Sequence, residues 1–226
     1  MGLQNISELE RSNLALDVAA RLRDLMARGD LSPGTHLVES EVAQKLGISR
    51  GPLREALRIL ETEGLVRSFP GRGSFVAEIS ARDVQEIYSL RAILEEEALR
   101  LAIQKATPDD ISELEAILHS MFAAAGTGNH AEVLDRDLEF HMRIWKVAAH
   151  QRLEGFLREI AAQAKMYIAV QTSLYDDLAA GVSDHRVLLE ALKNKDVELA
   201  TRTLREHLRV ASETLLDYSR RQLDRG

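Results

Sequence analysis

Four residues of this 226-residue chain combine into a definite chemistry: Asp137, His141, His185 and His207. Asp137 and His141 are four apart, so on a helix their carboxylate and imidazole leave one face and can bind one ion. His185 opens a helical stretch after Ser183-Asp184, and His207 lies midway along the last one. One carboxylate and three imidazoles from three helices suit a borderline divalent metal, with room for water or a ligand. Zinc is the expected ion; nickel, manganese and iron accept the same set, and availability decides among them. Taken singly, each of these histidines reads as a surface or core residue, and His36, His119 and His130 are left with that reading.

A second constellation is SRGPLREALRILETEGLV, Ser49 to Val66. Ser49 can cap a helix, and Pro52 is harmless in the first turn. Leu53, Ala56, Leu57 and Leu60 form one apolar face, and Gly64 ends the helix. Arg50 and Arg54 then leave one side of the opening turns, where a guanidinium can read a base edge or hold a phosphate. Backbone N–H groups at Ser49–Gly51 suit a phosphate as well.

The elements that must position these groups follow from periodicity. Leu14 to Arg28 carries Leu14, Val18, Leu22, Leu25 and Met26 at helical spacing and closes at Gly29. A Pro-Gly turn and a short extended piece, His36 to Val38, come next. Glu39 to Leu46 is helical, with Val42, Ala43 and Leu46 inward, and Gly47 and Ile48 form the turn before Ser49. After Gly64, LVRSF and SFVAEI flank Pro-Gly-Arg-Gly and predict a hairpin with Arg72 at its tip. Helix, helix, turn, helix and hairpin make a winged helix-turn-helix. From Arg82 onward the pattern is helical: 82–105 with Val84, Ile87, Leu90, Ile93 and Leu94 inward, then 107–125 opened by Thr107-Pro108, 130–149, 151–173, 182–193 and 195–222. Six helices with short connections predict an antiparallel bundle. The fold class is therefore mainly α, with one small β-hairpin.

Composition narrows the functional classes. With 45% hydrophobic and 29% charged residues the chain can bury a core. It has no apolar run near the length of a membrane span, no secretory pattern in MGLQNISELE and no cysteine, so a cytoplasmic protein without membrane partners is expected. The net charge is −7. Residues 11–77 hold ten Lys+Arg against eight Asp+Glu, and residues 78–226 nineteen against twenty-six, so only the front is mildly basic. A metal with an open position could also activate water. There is no His-Glu-x-x-His and no Glu-x-x-His pair, so no enzyme is expected, although a metalloenzyme with an appended DNA-binding module is the competing class. A purely structural metal is a third reading.

ESEVAQKLGISRGPLREALRILETEGLV followed by PGRGSFV resembles the DNA-binding domain of GntR-family transcriptional regulators, over about residues 10–78. The resemblance implies DNA contacts by Ser49, Arg50, Gly51, Pro52 and Arg54 on the recognition helix, and by Arg72 and Gly73 on the wing. Ser40 stands where many members place an arginine. The Asp-x-x-x-His pair with two later helical histidines resembles the FCD effector-binding domain of the FadR subfamily, over about residues 82–222, and six helices resemble its VanR-like branch. That resemblance implies a metal held by Asp137, His141, His185 and His207, a carboxylate effector completing its coordination, and Arg91 facing the pocket. Tyr167 and Gln171 are candidates for the lining, with core packing the stronger expectation. His150 departs from a common asparagine. The implied molecule is a homodimer on a palindromic operator, with repression relieved by the effector.

Overall fold

The computed structural model describes residues 14–175 and 177–223; residues 10–13 of the expected DNA-binding domain lie outside the described residues. Helices α1 (Leu14–Ala27), α2 (Glu39–Leu46) and α3 (Arg50–Thr62) precede a hairpin of β2 (Val66–Phe69) and β3 (Gly73–Val76). The extended piece after the Pro-Gly turn is a strand, β1 (His36–Leu37), and it pairs with β3. The expected two-stranded hairpin is therefore an antiparallel three-stranded sheet in the order β1-β3-β2. Pro70 and Gly71 turn the hairpin, closed by Arg72 N–H donating to the Phe69 carbonyl, and Gly71 takes the left-handed φ of +74° that the turn needs. Leu53, Ala56, Leu57 and Leu60 are buried, as is the α1 stripe at Val18, Leu22 and Met26, whereas Leu14 is exposed.

The remainder is helical: α4 (Ala81–Lys105), α5 (Pro108–Gly126), α6 (His130–Val147), α7 (Gln151–Ser173), α8 (Leu178–Gly181), α9 (Asp184–Lys193) and α10 (Val197–Leu223). Six of these match the expected six, and the one-turn α8, capped by Asp177, is additional. Thr107 accepts from Asp110 N–H while Asp110 accepts from Thr107 N–H, a reciprocal cap that fixes the start of α5. Ser49 occupies the N-cap of α3 in extended conformation but its side chain makes no capping hydrogen bond, which corrects the expected cap.

The expected apolar face of α4 is only half right. Val84 and Ile87 are buried, but Leu90 is 45% and Ile93 68% exposed. The buried stripe instead runs through Tyr88, Arg91, Glu95, Ala98 and Ala102. Two charged residues face inward because they belong to the site that the bundle surrounds. Phe140, fully buried on α6, fills the space beneath that site and packs edge-on against His185.

Candidate functional site

α6 brings Asp137 and His141 to the middle of the bundle, α9 brings His185 and α10 brings His207. One ligand atom from each lies within 4.8 Å of the others. The imidazole centroids of His141, His185 and His207 are 4.9 to 5.4 Å apart, so three rings surround one point. Metal–ligand bonds of about 2.0–2.2 Å put ligand atoms roughly 3–4 Å apart. A small inward movement of the rings would close the set.

A second layer orients the rings. His141 Nδ1 lies 2.8 Å from Glu95 Oε2, and Arg91 Nε donates to Glu95 Oε1 at 2.7 Å. His185 Nδ1 is 3.1 Å from the Val182 carbonyl, so it carries the proton that this acceptor needs. His207 Nδ1 is 3.8 Å from Asp184 Oδ2, longer than a hydrogen bond. Nε2 of His141 and of His185 are buried without a hydrogen-bond partner among the described residues, and so is Glu95 Oε2, whose close approach to His141 Nδ1 lies off the hydrogen-bonding direction. Asp137 Oδ1 comes within 3.0 Å of His185 Nε2, but off the hydrogen-bonding direction. An unsatisfied buried polar atom costs about 1–3 kcal/mol. Two such nitrogens beside an ionised carboxylate fit a divalent cation, whose bonds would satisfy all three.

The charges support the same reading. Burial pushes the Glu95 carboxyl up, but Arg91 and His141 outweigh it and bring it down to about 2. Burial likewise raises Asp137, and its contacts with His185, His141 and His207 carry it well below the usual carboxylate range. Both are ionised at neutral pH. With Arg91 they leave one uncompensated negative charge in the interior when the imidazoles are neutral. A divalent cation turns that into one net positive charge, and a bound monocarboxylate brings it to zero.

Beside the cluster is a cavity of about 20 Å³, bordered by Arg91, Asp137, Ile168, Gln171, Tyr175 and His207. Arg91 and Gln171 therefore lie at the candidate pocket. Tyr167 does not: it is buried and borders a separate groove between the winged part and α4, near Gly64 and Asp83. His150 is the N-cap of α7, where its Nδ1 accepts from Leu153 N–H at 3.2 Å. Its imidazole thus does the capping work open to an asparagine, and it does not border the cavity. Sequence reasoning gave no role to Glu95, Asp184 or Tyr175. For Glu95 a signal was present, since it lies four residues after Arg91 and so shares its face.

The DNA-contact candidates form a second group at the start of α3 and on the wing. Ser49, Arg50, Gly51 and Arg54 are exposed, and Pro52 is half-buried. Glu39 accepts from Arg54 Nε at 2.7 Å, which fixes the direction in which the rest of the guanidinium points. Because the Ser49 side chain does not cap α3, the first-turn N–H groups are open to a phosphate. On the wing, the Arg72 guanidinium lies 5.6 Å from the centre of the Phe69 ring, and Gly73 has a left-handed φ of +88°.

Residues 86–210 match the FCD domain, and residues 14–76 match the bacterial regulatory proteins of the gntR family. A Streptomyces ambofaciens protein, named as an uncharacterized HTH-type transcriptional regulator in an unstable DNA locus, is 30% identical over 195 residues, 85% of this chain and 81% of its own. The gluconate operon transcriptional repressor of Bacillus subtilis is 24% identical over 204 residues, 88% of this chain and 84% of its own. Among solved structures, E. coli McbR/YncC superposes with a TM-score of 0.80 at 26% identity, covering 92% of this chain and 99% of that one.

Proposed function

Because the chain belongs to the gntR family of bacterial regulatory proteins and carries an FCD domain, we propose that it is a metal-dependent repressor whose hold on DNA is released by a small carboxylate. The observation that carries the proposal is the convergence of two partnerless buried imidazole nitrogens with Asp137, beside a cavity bordered by Arg91. We place it in the FadR subfamily and, counting its six long helices and setting aside the one-turn α8, in the VanR-like branch, as a cytoplasmic homodimer without enzymatic activity. Its DNA-binding part is 10–78 and its metal- and ligand-binding part 82–222.

In this reading Asp137, His141, His185 and His207 hold one divalent ion, zinc being the first candidate and nickel, manganese or iron the others. The ion supplies a Lewis-acid docking point for a carboxylate. Arg91 keeps its Nε on Glu95 and offers its remaining N–H groups to the ligand, where a charge-assisted pair in a dry site is strong. About 20 Å³ is room for roughly one water, so any larger ligand must displace lining side chains, among them Gln171 and Tyr175, which are joined by a hydrogen bond.

α7 supports a route from this cavity to the DNA-binding part. Ile168 borders the cavity and also packs with Ala27 of α1 and Leu134 of α6. A ligand that moves this face biases where α1 sits, and it shifts operator affinity only by its differential affinity for the two arrangements. Ser49, Arg50, Gly51, Pro52 and Arg54 contact the major groove, with Arg72 and Gly73 at the wing, and a dimer reads a palindrome with one recognition helix per half-site. Repression is the sign carried over from the gluconate operon repressor.

Metal analysis of purified protein tests the ligand set. The wild type is expected to hold one divalent ion per chain, and His207→Ala to lose it while still binding duplex DNA. A variant that retains the wild-type stoichiometry overturns the assignment. Four protein ligands could also close a purely structural zinc site. In that case chelation lowers the melting temperature and leaves carboxylate binding unchanged.

A further inference from the structure

The outer face of the small sheet carries a row of planar groups. His36 on β1 is directly opposite Phe75 on β3, and Phe69 on β2 is opposite Gly73. Alternation along a strand puts Gly73 and Phe75 on one face, with His36 and Phe69 beside them. The His36 ring lies flat on Phe75, with centroids 4.4 Å apart and planes 13° apart. Phe69 meets Phe75 edge-on at 5.9 Å, and the Arg72 guanidinium lies over Phe69. His36 and Phe69 are both exposed.

Gly73 makes the arrangement possible twice over. Its φ of +88° disfavours any side chain, and a Cβ there would lie 2.8 Å from His36 Nε2. The imidazole edge therefore rests against the wing backbone next to Arg72. Stacking covers one face of the ring and fixes its plane, while the ring remains exposed to solvent.

We propose that His36 is a DNA-backbone contact, a second wing-side donor that grips a phosphate beside the one held by Arg72. The inference rests on the DNA-binding reading of the winged part and adds to it a residue outside the recognition helix and the wing turn. The occupant is duplex phosphate for two reasons on the surface itself. The imidazole edge is continuous with Gly73 and hence with Arg72 at the wing tip, and the Arg72 guanidinium has no carboxylate partner among the described residues, whereas Arg67, the other arginine on this face, is taken up by Asp83. A ring already immobilised against Phe75 loses little conformational freedom on binding, which an unstacked side chain would have to give up. A residue serving only to cover Phe75 would need no donor.

The test uses the full chain and a short fluorescent duplex of mixed sequence, titrated between about 50 and 200 mM salt. His36→Ala is expected to weaken binding roughly three- to tenfold, the scale of one ordinary lost hydrogen bond at a solvent-exposed site. His36→Arg, which can also lie flat on Phe75, is expected to bind at least as tightly as wild type and to steepen the slope of log affinity against log salt by about one. If His36→Ala binds as the wild type does at every salt concentration, the contact is overturned. If the alanine variant does not fold, an arginine variant with an unsteepened slope overturns it equally. A wild-type chain that does not bind duplex at all overturns the DNA reading itself, and this contact with it.

Discussion

Individual side chains decide the chemistry, and several act through a neighbour that the sequence does not advertise. Arg54 is aimed by Glu39, fifteen positions earlier, across the helix-turn-helix. Arg54→Ala should weaken operator binding by about 1–3 kcal/mol per lost base contact while leaving metal content unchanged; unaltered affinity in a competition assay would remove Arg54 from the recognition surface. Asp137 and His141 were legible because spacing alone puts them on one face, and the structure brings His185 and His207 to the same point. Glu95 was only half legible: its spacing puts it on the face of Arg91, but nothing local ties it to the histidines. Its engagement by His141, forty-six positions later, is a contact between helices that no local pattern encodes. His150 shows the opposite case: a departure from a familiar residue type keeps the local job, because an unprotonated imidazole nitrogen can accept from a first-turn N–H much as an amide oxygen does.

Secondary structure was read most securely where capping chemistry fixed an end. Thr107-Pro108 marked the start of α5, and the structure adds the reciprocal Thr107–Asp110 bonds. Thr107→Ala should cost about 1 kcal/mol. Asp110 titrates below its ordinary range because Thr107 donates to it through both side chain and backbone. Its contribution is therefore present above the unfolded-state pKa of about 3.9 and fades as pH falls below that value. The melting-temperature gap between wild type and variant should accordingly be wide at pH 7 and narrow near pH 3; an equal gap at both would show that Asp110 plays no part. α4 marks where periodicity fails. Leu90 and Ile93 suggested one face, yet burial follows Arg91 and Glu95, whose mutual ion pair offsets the cost of taking both charges out of water. The one-turn α8 escaped notice because four residues cannot display a helical period.

At the scale of the whole molecule, one hydrophobic core joins residues of α1 and α3 to residues of the helical bundle, so the winged part is packed on the bundle as well as tethered to it. α7 is the element shared between cavity and winged part, through Ile168 at Ala27 and Gln163 beside Gly64. Ile168→Ala should leave metal content and the affinity of the ligand-free protein for DNA near wild type while reducing the effect of ligand on that affinity. A full ligand response in this variant, measured by DNA anisotropy, would place the coupling elsewhere. The arrangement of helices was legible because each long helix has its own start and stop signals, whereas the docking of α1 against α6 and α7 depends on surfaces far apart in the chain. Most direct is the affinity of zinc-loaded protein for a duplex selected from a random pool, titrated with small carboxylic acids. The account predicts that at least one acid releases wild-type protein from the duplex, and that Arg91→Ala, with its metal intact, needs at least tenfold more of it. Release of the Arg91→Ala protein at the wild-type concentration, or release of metal-free protein by the same acid, would contradict it.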